Sequence, residues 1–105
     1  MKNRGKSNKV RQVAAAAGEQ LREVREGCNL TMRQVHSQSR KIAERFGIRG
    51  YEIVPSRLHL LERGQHIPNM FRLYTLATVY GISIREIFRL FGMSVSGGML
   101  SGKSR

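Results

Sequence analysis

The sequence predicts an all-α domain of five short helices, and three observations carry that reading. Four apolar stretches stop at a glycine, at Gly47, Gly64, Gly81 and Gly92, where a left-handed residue closes a helix. Apolar residues recur at helical spacing, most clearly in Leu73, Leu76, Ala77 and Tyr80 and in Ile84, Ile87, Phe88 and Phe91. No stretch alternates like a half-buried strand; residues 48–54 read as extended but have no partner strand.

Each element has its own marks. Residues 1–14 hold Lys2, Arg4, Lys6, Lys9 and Arg11 with no acid, and read as a disordered basic arm. Helix 1, over 15–27, turns Leu21 and Val24 inward, with Cys28 continuing that side. Helix 2, over 31–46, opens on a capping box of Thr31 and Gln34 and points Val35, Ser39, Ile42 and Phe46 inward. Helix 3, over 55–63, has Pro55 in its first turn and Leu58 and Leu61 inward. Helix 4, over 69–80, starts at Asn69 as N-cap. Helix 5, over 83–91, opens on Ser83 and Glu86, a second capping box. The domain thus spans 15–92, and the Gly- and Ser-rich residues 93–105 read as a flexible tail.

Composition narrows the function. The 105 residues carry 19 Lys and Arg against 7 acids, all Glu, for a formal net charge of +12. Such an imbalance repels itself and suits a polyanion, nucleic acid first and an anionic membrane second. The apolar run after the basic start is five residues, too short for a signal peptide or a membrane span, which predicts a cytoplasmic protein. Its single cysteine agrees with a reducing compartment. A membrane-surface helix would need a bulky apolar face opposite a cationic one, and helix 5, the nearest case, uses that face as core. Zinc-ligand spacings and an Asp for a Ser-His-Asp triad are missing, so no enzyme and no cofactor are expected.

Helix 3 raises two questions. Leu58 and Leu61 define its inward face, while Ser56, Leu60 and Arg63 point away, flanked by Arg57 and His59. Glu62 falls near Leu58, facing the core. On helix 1, Arg25 lies about 40° from Leu21 and also faces inward. A single buried charge costs several kcal/mol, so either Arg25 and Glu62 pair or both reach water at the domain edge.

The segments "LREVREGCNLTMRQV" and "LHLLERGQHIPNMFRLYTLATVYGISIREIF" together resemble the lambda-repressor-like helix-turn-helix domains of the Cro/XRE type. The matching features are Leu21 and Arg25, "NLT" before helix 2, "LERG" with Pro68 four residues after Gly64, and the short last helix. The resemblance covers residues 18 to about 91. It implies a five-helix fold in which helices 2 and 3 bind DNA and Arg25 and Glu62 form a structural ion pair. It places Pro55, Ser56, Arg57, His59 and Leu60 at base edges, where Arg57 can take guanine or a phosphate and Leu60 a thymine methyl. Thr31, Met32 and Arg33 at the start of helix 2, with Arg63, Gln65 and His66 after helix 3, then face phosphate.

The chain departs from the resemblance in one large way. About a dozen extra residues follow the point where helix 2 would end, against a usual turn of about 3–4. Ile42 and Phe46 continue the face of Val35, which predicts a lengthened helix 2 and then a loop; Arg40 and Lys41 there are candidate phosphate contacts. A second departure is Met32 and Pro55, where such domains often carry polar side chains. The resemblance also implies a homodimer on a palindromic operator, with Leu90 and Met93 as candidate dimer contacts. The expected function is a sequence-specific transcriptional regulator, most simply a repressor, binding double-stranded DNA. The alternatives are the antitoxin of a toxin–antitoxin pair, with a toxin as second partner, and a nonspecific nucleoid or RNA-binding protein.

Overall fold

The computed structural model describes residues 4–93, with side chains from residue 8 onward. Five helices run α1 Arg4–Gly27, α2 Met32–Phe46, α3 Pro55–Glu62, α4 Met70–Tyr80 and α5 Ile84–Leu90, with a single 3₁₀ turn at Arg49–Tyr51. Among the described residues there is no strand. None of the helices there is long and apolar enough to cross a membrane. The tail expected over 93–105 lies, apart from Met93, outside the described residues.

The helix ends follow local chemistry. Thr31 Oγ1 accepts from the Gln34 N–H at 3.1 Å and the Thr31 N–H donates to Gln34 Oε1 at 2.8 Å, a complete capping box. Asn69 and Ser83 cap α4 and α5 through the N–H groups of Arg72 and Glu86. The second box is half made, because the Glu86 carboxylate turns to Arg89 instead. The four glycines read as helix stops all have φ between +70° and +78°. Helix α1 ends differently, on Asn29 at φ +58°, a residue type that tolerates the left-handed region.

The core is aliphatic. Leu21, Val35, Ile53, Leu58, Leu76 and Ile87 are fully buried, and Leu61, Leu73, Ala77, Tyr80 and Phe91 close around them. Helix α1 packs on α3 and α5, while α2 lies against α3 and α4. The α1–α3 contact is backbone-close. A Cβ added at Gly18 would strike the carbonyl oxygen of Leu61, and one at Gly64 would come within 2.5 Å of the Ala15 Cα. Only small residues fit at that crossing.

Four expectations are corrected. The basic segment 1–14, expected as a disordered arm, is helical from Arg4, so α1 is one 24-residue helix. Ala14 and Ala17 bury against the α3 end and anchor it, and the alanines, arginine and glutamine around them are strong helix formers. Leu90, expected on the surface as a dimer contact, is 8% exposed; it lies one turn from Ile87 and fills the core, while Met93 is exposed. Conversely Phe46 and Ile84, expected inward, are 45% and 43% exposed. Phe46 ends α2 beyond the core and stacks on Tyr51, with ring centroids 4.8 Å apart. Ile84 sits in the first turn of α5, outside the arc of Ile87, Leu90 and Phe91.

Candidate nucleic-acid interface

The lengthened α2 and the loop after it form a fixed support for α3. Gly47 closes α2, and the loop then returns with Ile53 fully buried. Four side chains stitch the loop down. The Ile53 N–H donates to the buried Ser39 hydroxyl at 2.9 Å, and Ser39 donates in turn to the His36 carbonyl at 2.8 Å. The Thr75 hydroxyl donates to the Tyr51 carbonyl at 2.8 Å, and Arg72 Nε to the Glu52 carbonyl at 2.7 Å. His36 Nε2 lies 2.8 Å from the Glu52 carboxylate. Tyr51, Glu52 and Ile53, just before Pro55, are thus tied to α2 and α4.

Arg25 and Glu62, placed inward by the spacing, meet across α1 and α3. Arg25 Nε donates to Glu62 Oε2 at 2.7 Å and Nη2 to Oε1 at 3.1 Å, while Nη1 donates to the Leu30 carbonyl at 2.8 Å. The carboxylate side chain is 3% exposed. The Glu62 hydrogen bond holds the Arg25 pKa above the usual arginine value, against the opposing effect of burial. The pair fixes α1 and the start of α2 to the end of α3, and it is a structural element rather than a chemical one.

The outward side of α3 is open. Ser56, His59 and Leu60 are exposed, and Pro55 and Arg57 are half-buried. Met32, His59 and Arg63, with Arg22, line one cleft of about 290 Å³ that joins the start of α2 to α3. The Met32 side chain packs partly against the core and is otherwise open to this cleft. Thr31, Arg33 and Gln65 are exposed around this face. Arg40 and Lys41 sit apart from it, in a second depression along α2 with Arg33, His36, Ser37 and Glu44.

Beside α3 lies a cluster of two arginines and a neutral histidine that the sequence only half indicated. Arg57 Nη1 donates to His66 Nε2 at 2.8 Å, which requires the neutral imidazole. Burial first, then Arg57 and Arg72, push the His66 pKa below its ordinary value. Arg72 is lowered as well, by burial and by Arg57, while Glu52 opposes the shift. Arg57, His66 and Arg72 come from α3, the following loop and α4, and they converge. Arg72 was missed because nothing along the chain links it to α3; the contact runs through the loop carbonyl of Glu52.

Comparison of the chain with protein-family models, with curated proteins and with solved structures finds no match.

Proposed function

We propose that this chain is a sequence-specific DNA-binding regulator of helix-turn-helix type, in which α3 enters the major groove. The observation that carries the reading is the pairing of two neighbouring features. One is an exposed helix face bearing Ser56, His59 and Leu60; the other is the cluster of Arg57, His66 and Arg72 beside it. Base edges need short polar and apolar groups on a narrow element, and phosphates need converging cations. In this reading Leu60 meets a thymine methyl, Ser56 and His59 read polar base edges, and the start of α2 grips the backbone. Arg57 faces phosphate in this reading, because its bond to His66 commits one guanidinium nitrogen and its charge adds to that of Arg72.

A palindromic operator bound by two copies, and repression as the outcome, belong to the same proposal. The net charge of +12 favours one second reading, nonspecific binding of DNA or RNA. Selection from a random duplex pool at about 150 mM salt separates the two. A recovered motif with two half-sites about 10 base pairs apart supports the regulator. Binding that enriches no sequence and vanishes as salt rises supports the nonspecific protein.

A further inference from the structure

Of the three Tyr and four Phe in the chain, four gather on one surface away from the core. Phe46 stacks on Tyr51, Tyr51 lies 4.9 Å from the Phe71 ring, and Tyr74 sets its edge against both Phe46 and Tyr51. Phe46, Phe71 and Tyr74 are each more than two-fifths exposed. The patch continues through Ile48, at 41% exposure, and Met70, at 71%. Gly50 lies between Ile48 and Phe71, and an added Cβ there would come within 3.1 Å of the Phe71 ring. None of the four belongs to the core cluster, whose buried rings are Tyr80 and Phe91. The exposed apolar area is on the order of 400 Å², in the range of the largest and commonly functional patches of a monomer.

We propose that this aromatic face is where a second copy of the chain docks. The choice of occupant rests on the DNA-binding reading above, since a two-fold operator needs two copies. Three features of the patch itself favour it. Its make-up, Phe and Tyr with Met and flanking arginines, is the composition of an interface centre. Its area supplies the apolar centre of a standard interface, which takes about 800 Å² from each partner including a polar rim. Its rim carries both signs, Glu44 beside Arg45 and Arg49, all exposed, so an isologous contact can set Glu against Arg. Of the two residues expected from the sequence for this role, Leu90 is in the core and Met93 alone is exposed.

The proposal has a signature in salt. Each copy carries +12, so apolar docking works against like-charge repulsion. Salt screens the repulsion and leaves the ring contacts, so the dimer tightens as salt rises. An acidic partner on the same patch would loosen instead.

The test is sedimentation equilibrium of the full chain without DNA, at about 0.1 M and 0.5 M NaCl. The expected result is a monomer–dimer equilibrium that is tighter at the higher salt. Met70→Glu and Phe46→Ala should each raise its dissociation constant about tenfold or more. Met70 is so exposed that its replacement leaves the fold alone, which circular dichroism checks. Ile84→Glu, on α5 outside the ring cluster, should change nothing. A chain that stays monomeric to about 200 µM at both salts overturns the proposal. So does a dimer indifferent to Met70→Glu. A monomer whose tyrosine fluorescence is quenched by oligothymidylate overturns it in favour of base stacking on these rings. The duplex selection reports on operator binding separately. Dimers without a selected motif leave this inference standing and remove the regulator; a selected motif bound by a persistent monomer does the reverse.

Discussion

Arg57 and His66 show how one hydrogen bond divides labour within a surface. Nη1 of Arg57 is committed to His66, and the charges of Arg57 and Arg72 are close enough to repel, a field that a phosphate would relieve. Arg57→Ala should therefore weaken every duplex sequence alike and make the salt slope shallower by about one per copy. Leu60→Ala should instead relax preference at one base pair; competition binding with single-base operator variants distinguishes the two. The same cluster makes a pH statement. His66 holds a proton less readily in the folded chain than in the unfolded one, because burial and two arginines oppose its charge. The unfolded chain then binds more protons below about pH 6.5, so stability falls as pH drops through that value toward the lower folded pKa. Melting curves of wild type and His66→Gln from pH 7.5 to 5.5 check the sign, with the variant flat relative to wild type. Glu62 is the structural counterpart. Glu62→Ala leaves the Arg25 guanidinium beside an empty site and should cost about 3 kcal/mol, read by urea unfolding, while Glu23→Ala on the α1 surface should stay within about 0.5 kcal/mol.

At the scale of elements, α1 and α3 cross so closely that one methyl group decides the outcome. Gly18 lies mid-helix, where alanine would ordinarily gain about 1 kcal/mol. Its Cβ would meet the backbone of Leu61 and Glu62, which cannot move without shifting α3. Gly18→Ala should destabilise by about 1–3 kcal/mol net, whereas Gly27→Ala, with open space around it, should stabilise slightly. Thermal unfolding of the two variants should show opposite signs, and a stabilised Gly18→Ala would mean the helices sit further apart. This crossing marks the limit of what the sequence discloses. Helix stops were legible because a left-handed residue has a chemical signature in glycine, and caps because Thr31, Asn69 and Ser83 are short acceptors at fixed offsets. Inward faces of α3 and α4 followed from spacing. The first half of α1 was not legible, since four basic residues suggest solvation, and the alanines that dock it carry little hydrophobic signal. Phe46 and Leu90 were misassigned for a related reason: spacing gives a helix's own face but not where the neighbouring helices end. Arg72 stayed hidden because its link to α3 passes through a loop carbonyl.

For the whole molecule, the correction to α1 changes what its basic residues can reach. A disordered arm would explore the minor groove freely, but a helix carries its charges along a fixed line. Ala14 and Ala15 lie against Gly64, next to the exposed Arg63 and Gln65 that face the proposed phosphates. Lys9 and Arg11, both exposed, follow one to two turns further out on the same rod, within about 10 Å of rise from that junction. They are thus presented beside the end of α3 proposed to face phosphate, not scattered over a tail. Counterion release gives this arrangement a number. Each phosphate neutralised contributes about −0.9 to the slope of log affinity against log salt. Replacing Lys9 and Arg11 together by alanine should make the slope shallower by about 1.8 per copy, with the selected motif unchanged, because both contacts position without reading bases. Affinity measured between about 50 and 200 mM salt on one operator and one scrambled duplex tests it. A slope that does not change means the rod points away from the duplex, and the flanking contact must then come from elsewhere on the +12 surface. A changed motif means the first turns of α1 enter a groove.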